Sequence, residues 1–158
     1  MAERVVTDRF RQAVYQAEDQ WSAIIDRGGV VDFFGSRLDS PIQLRFGSLS
    51  DVETYVTVTC ARADVQAPAV RHRKGGARAH YSQGVIAIPS DQPWAMRESV
   101  VLHEIAHHVA ASRNGSADHD ERFTSAMLFL VGERLGPVAE LLLRTGYSAA
   151  GVPVGDER

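Results

Sequence analysis

At 158 residues, with 44% apolar and 23% charged side chains, the chain has the make-up of one globular domain with a sizeable core, which excludes a low-complexity or disordered polypeptide. Its net charge of −3 gives no support to general nucleic-acid binding, and its single cysteine excludes an intramolecular disulfide or a thiolate metal cluster. No run approaches the roughly 18 apolar residues of a membrane span, and the first turns mix acids and bases without an apolar signal core, so the cytoplasm is the expected compartment.

Over residues 8–27, Phe10, Val14, Ala17, Trp21, Ile24 and Ile25 follow helical spacing, with Thr7 as N-cap and Gly28-Gly29 as the stop. Residues 30–46 hold a turn at Asp39-Ser40-Pro41 between two possible strands, the second carried by alternating Ile42, Leu44 and Phe46. Residues 49–62 fit a strand through Val56, Val58 and Cys60, or a helix through Val52, Val56 and Cys60. The helix is preferred, with Ser48 or Ser50 as cap, and Cys60 then serves as a small buried apolar residue.

Residues 69–73 and 77–81 flank Lys74-Gly75-Gly76 and read as a β-hairpin. Residues 85–88 add a further strand after Ser82-Gln83-Gly84, giving a small antiparallel sheet. The hairpin carries a basic stretch from Arg71 through Arg73, Lys74 and Arg78 to His80, which suits weak contact with nucleic-acid phosphate or an acidic protein surface. A solvated turn whose charges protect a strand edge is the simpler explanation.

Asp91 is placed to cap the next helix, with Pro93 in its first turn and Gly115 beyond its end near Arg113. This helix contains His103-Glu104-Ile105-Ala106-His107. Positions four apart return to one face, so both imidazoles can reach one metal ion, while Glu104, turned about 100°, stands beside the ion as a proton acceptor. Zinc at such a site acidifies a water and polarises a substrate carbonyl. Trp94, Val101, Leu102, Ile105, Ala106 and Val109 fill most of the helix circumference, with Met96 and Val100 near the histidines, so the helix is expected to be buried. Buried imidazoles need partners for both ring nitrogens, which a metal and an acceptor would supply.

A catalytic zinc needs a third protein ligand. His119 is the candidate, because the Asn114-Gly115 stop lets residues 116–120 turn back; Asp118, Asp120 and Glu121 stay open as carboxylate alternatives. His108 points about 100° away from His107 and reads as structural. A helix over 120–134 follows, its stripe of Phe123, Met127, Leu130 and Val131 read as packing. Gly136-Pro137 opens a short helix to Arg144, and Gly146 and the residues beyond 150 are expected to be irregular.

With HExxH at 103–107 and His119-Asp120-Glu121-Arg122-Phe123 after a short loop, the chain resembles the SprT-like zincin metallopeptidases, whose third ligand lies in an H-G-x-x-[FW] motif; here Asp120 replaces the glycine. More closely it is similar to the small zinc metallohydrolases of actinobacteria and their phages, through Ala79-His80-Tyr81, Ile86-Ala87-Ile88-Pro89, Trp94 and the run of histidines at 103, 107 and 108. Metzincins fit less well, since Ala110 and Arg113 stand where their glycine and third histidine belong. So do thermolysin-like enzymes, which would place a glutamate at Met127. Repressor-cleaving peptidases with a distant acidic ligand are kept open by Glu121.

The resemblance implies an α+β fold: one zincin-like domain over residues 1–158, with a tail from about 151, and a small mostly antiparallel sheet packed on helices around the active helix. It implies one zinc ion on His103, His107 and His119, with Glu104 as general base in cleavage of a protein or peptide substrate. By the same resemblance, residues 84–88 are the candidate strand for pairing with an extended peptide. Tyr81, His80 and Tyr147 are candidate donors to the developing oxyanion. Two other classes stay open: a metal-stabilised module that binds nucleic acid or protein through the basic 71–80 segment without hydrolysis, and a hydrolase of a small amide or ester.

Overall fold

The computed structural model describes residues 8–155, which form five helices and two small, mostly antiparallel sheets in an α+β arrangement. Helix α1 (Arg11–Arg27) buries Val14, Ala17, Trp21 and Ile25, and on the same stripe it buries Glu18 and Ser22. It begins at Arg11 after Phe10, and Thr7, the expected cap, lies outside the described residues. Gly28 ends the helix at φ +65°, where a Cβ would meet Ile42 Cγ1 at 2.4 Å, so both its handedness and its neighbour require glycine.

Strands β1 (Gly29–Phe33) and β2 (Ser36–Ser40) pair antiparallel through Phe34-Gly35, with positive φ at both turn residues, the geometry that matches strand twist. The turn expected at Asp39-Ser40-Pro41 is therefore corrected. The second expected strand is also absent: Ile42 and Leu44 face solvent while Gln43 is buried. The side chain of Gln43 donates to Ser22 Oγ and Asp26 Oδ1 and accepts from the Ser99 N–H. Fully bonded, a buried amide overrides the alternation that its apolar neighbours suggest.

Helix α2 (Leu49–Arg62) is capped by Ser48, whose hydroxyl accepts from the Asp51 N–H, and it buries Val52, Val56 and Cys60. Strands β3 (Ala69–His72), β4 (His80–Ser82) and β5 (Val85–Ile88) form a sheet of order β3-β5-β4. Strand β3 runs parallel to β5, and β4 runs antiparallel to β5 through the tight Gln83-Gly84 turn. The hairpin expected across Lys74-Gly75-Gly76 is thus corrected, because β5 lies between its two arms. It follows that residues 84–88 are not a rim for an incoming peptide: β5 is central, with both edges paired, and β4 is an edge.

Pro93–Ala95 form a separate 3₁₀ turn, and helix α3 (Glu98–Asn114) starts after Arg97, so Asp91 does not cap it and Trp94 stands outside it, partly exposed. Helix α3 is buried from Val101 to Ala110, which places both histidines in the interior. It ends at Gly115 in the left-handed conformation, where the Gly115 and Ser116 amides bond back to the Ala111 and Ala110 carbonyls. Helix α4 (Glu121–Leu135) packs on α3, and α5 (Pro137–Ala149) packs on α4 and α1. Helix α5 continues through Gly146 past the expected end at Arg144, and Gly146 packs toward the α1 backbone at the Ala17 carbonyl. Residues 152–155 are irregular, and no helix among the described residues is long and apolar enough to cross a membrane.

Candidate metal centre

One turn of α3 presents His103 and His107 on the same face, and the loop after Gly115 returns His119 to them. All three are buried, at 3%, 8% and 5% exposure. Their Nε2 atoms converge: His119 Nε2 lies 3.1 Å from His107 Nε2 and 3.2 Å from His103 Nε2. Phe123, one turn into α4, closes the apolar side, with its ring 4.5–5.0 Å from all three imidazoles. These three histidines are close enough together to hold a metal ion.

Two carboxylates decide which face each ring presents. Glu18 Oε1 lies 2.7 Å from His103 Nδ1, and Asp8 Oδ2 lies 2.6 Å from His119 Nδ1. An ionised carboxylate only accepts, so each Nδ1 carries the proton and each Nε2 turns a lone pair into the shared space. Ring nitrogens 3.1–3.2 Å apart must share a proton or a cation, and three Nε2 atoms so gathered fit a metal ion. The carboxylates are themselves held: Tyr147 of α5 donates to Glu18 Oε2 at 2.6 Å, and Asp8 also accepts from the His119 backbone N–H. The three rings differ in how readily they take a proton. Burial and the neighbouring imidazoles push His107 down to about 2. Burial and His103 also lower His119 against the pull of Asp8, whereas for His103 the Glu18 and Glu104 carboxylates outweigh burial and raise it.

Glu104 is buried, and its carboxyl is pushed up to about 7, by burial first and by Glu18 in addition, against the lowering effect of His103, Arg73 and Arg78. A carboxylate so tuned can both take and return a proton near neutrality. It opens with His103 into a cleft of about 360 Å³, walled by Tyr15 and Asp19 of α1, Arg78 and Ala79 of the loop before β4, and Trp94. Tyr15 stacks on His103 with ring centres 4.9 Å apart and planes 19° apart, and the Arg78 guanidinium lies over the Tyr15 ring at 4.2 Å. Burial and Glu104 raise the Tyr15 phenol above its ordinary range, so it remains a donor.

The carboxylate alternatives for the third ligand have other places. Asp118 and Glu121 are exposed, and Asp120 caps α4, accepting from the Arg122 and Phe123 amides and from Ser116 Oγ. The departure from glycine in the His119 motif thus fixes the start of the helix that follows. His108 is structural: its Nε2 donates to the Gln66 carbonyl and its Nδ1 accepts from Tyr81. That commits the Tyr81 hydroxyl, and Tyr147 is committed to Glu18, so neither is free for substrate; His80 is exposed on β4. Within the basic segment, Arg73 donates to the Arg78 carbonyl and Arg78 turns to Tyr15 and Asp19, while Arg71 and Lys74 stay exposed.

Sequence reasoning missed Asp8, Tyr15 and Glu18, all contributed by α1 or the residues just before it. The signal for Glu18 was present, since a charged residue on the stripe of Val14, Ala17, Trp21 and Ile25 cannot be buried without a partner. Comparison with protein-family models, with curated proteins and with solved structures finds no match to this chain.

Proposed function

We propose that this protein is a zinc-dependent peptidase of the SprT-like zincin type, in which His103, His107 and His119 hold the ion and Glu104 is the general base. The observation that carries the reading is the convergence of three buried Nε2 atoms beside a carboxylate that opens into a cleft. Three imidazoles would suit zinc, and His119 and Phe123 stand where the motif of that family has its histidine and aromatic residue, with Asp120 in place of the glycine, which supports the same assignment. When bound, the ion supplies Lewis acidity to a water and to the substrate carbonyl. Glu104 takes a proton from the attacking water as its oxygen bonds to the carbonyl carbon. It returns that proton to the amide nitrogen as the C–N bond breaks, giving a carboxylic acid and an amine. The peptide lies in the cleft between α1 and the loop before β4, and β4, an edge strand that follows that loop, offers backbone for strand pairing.

Elemental analysis of the purified protein is expected to find about one zinc per chain. Glu104→Gln is expected to retain the metal and lose cleavage of a peptide library by about 10²-fold or more, whereas His103→Ala loses both. Undiminished cleavage by Glu104→Gln would sink the mechanism. A zinc-free protein that melts at the same temperature as its His103→Ala variant would sink the site.

A further inference from the structure

We infer that Tyr15 is the side chain that donates a hydrogen bond to the substrate oxyanion, with the Arg78 guanidinium holding its ring in place. This rests on the hydrolase reading and adds a residue to it. When the carbonyl carbon becomes tetrahedral, its oxygen gains charge, and a donor fixed beside it before reaction stabilises that charge without reorganising. The chain has four tyrosines, and three of their hydroxyls are committed elsewhere. Tyr55 donates to Glu98, Tyr81 bonds to His108 and Tyr147 donates to Glu18. Among the described residues the Tyr15 hydroxyl has no hydrogen-bond partner, and Tyr15 lines the cleft with His103 and Glu104.

Its ring is anchored on the metal-binding side by His103 at 4.9 Å and His119 at 5.2 Å, so the phenol stands against two of the three ligands. Tyr15 also lies three residues before Glu18, on the same face of α1, so the hydrogen bond that fixes His103 fixes the helix that carries the donor. Arg97, the other cation of the cleft, is tied to Asp26, Ser22 and the Trp94 carbonyl. Arg78 lies over the Tyr15 ring at 4.2 Å, and this cation–π contact bears on the ring, while its 3.8 Å pairing with Asp19 joins two groups more than half exposed and adds little.

The test uses the zinc-loaded full chain, a peptide it cleaves and the phosphinic isostere of that peptide, whose tetrahedral anion mimics the attacked carbonyl. Tyr15→Phe, which keeps the ring, is expected to bind the isostere about 10- to 100-fold more weakly by titration calorimetry, as loss of one hydrogen bond to a charged oxygen implies. Zinc content, melting temperature and binding of the unmodified peptide in a Glu104→Gln background should stay within about twofold. Arg78→Ala is expected to weaken the isostere by about two- to fivefold. Isostere binding unchanged in Tyr15→Phe overturns the inference, and so does a larger loss in Arg78→Ala than in Tyr15→Phe, which would give the contact to Arg78. Should Tyr15→Phe not fold, wild-type protein labelled with ¹³C at tyrosine Cζ is expected to show one ring signal moving when the isostere binds, and a spectrum in which none moves overturns the assignment. A zinc-loaded wild type that cleaves no peptide of the library fails at the earlier step, and the hydrolase reading falls with this one.

Discussion

An imidazole offers a metal a lone pair on one nitrogen only when the proton is held on the other, and in this protein that task falls to Glu18 and Asp8. Glu18 reaches across from α1 to His103, 85 residues away in sequence, and Asp8 reaches His119 across 111 residues. Both contacts are charge-assisted and 2.7 Å or shorter, the range of strong hydrogen bonds. Glu18→Gln keeps the shape but removes the charge that fixes the tautomer, and it is expected to weaken zinc binding about 10- to 100-fold in competition with a chromophoric chelator. Asp8→Asn should act on His119 in the same way, and Tyr147→Phe should cost less, because it removes only the brace behind Glu18. Wild-type affinity in both carboxylate variants would mean that the metal site does not depend on α1.

At the level of elements, the start of α4 matters most to the site, because it places His119 and Phe123 together. Asp120 accepts two hydrogen bonds from the first amides of that helix and a third from Ser116. Asp120→Ala is expected to lower stability by about 1 kcal/mol in denaturant unfolding, through loss of the cap, and to weaken zinc binding by letting His119 drift. Equal stability and equal affinity in that variant would mean that Asp120 neither caps α4 to any effect nor holds His119 in place. This helix was legible in the sequence, as were α1 and the Gly115 stop, because periodicity and stop signals are local properties of the chain, whereas residues 49–62 fitted a strand as well as the helix they form. The shared face of His103 and His107 was legible for the same reason, since one helical turn fixes their spacing. Sheet order was not: the pairing of β3 with β5 is parallel and skips β4, while the Gly75-Gly76 pair between β3 and β4 looks like a hairpin turn. Nor could alternation reveal Gln43, whose burial depends on bonds to α1 and to Ser99 that form only in the folded chain.

Across the whole molecule, the histidine cluster adds to the hydrogen bonds and apolar packing that already join its helices. Helix α1 is fixed to α5 by the bond from Trp21 Nε1 to the Ala139 carbonyl and by the Glu18–Tyr147 contact. It is fixed to α3 through Glu18 and His103, and the loop before α4 is fixed to Asp8 through His119. A metal ion on the three Nε2 atoms therefore closes a circuit through α1, α3, α4 and α5. An ion that binds only the folded chain stabilises it by mass action, by about 2.7 kcal/mol when free zinc stands at 100 times its dissociation constant. For a chain of this size that corresponds to a rise in melting temperature of roughly 5–10 °C, lost on chelation and restored by zinc. Because removal of the ion leaves the three Nε2 atoms without their shared partner, the loss should be local as well as global. Amide exchange should quicken first in the turn of α1 around Glu18 and in residues 116–120, while α2, which supplies no ligand and no bond to one, keeps its protection. A melting temperature indifferent to both chelator and zinc, with unaltered exchange around Glu18, would separate the histidine cluster from the stability of the fold and remove the circuit.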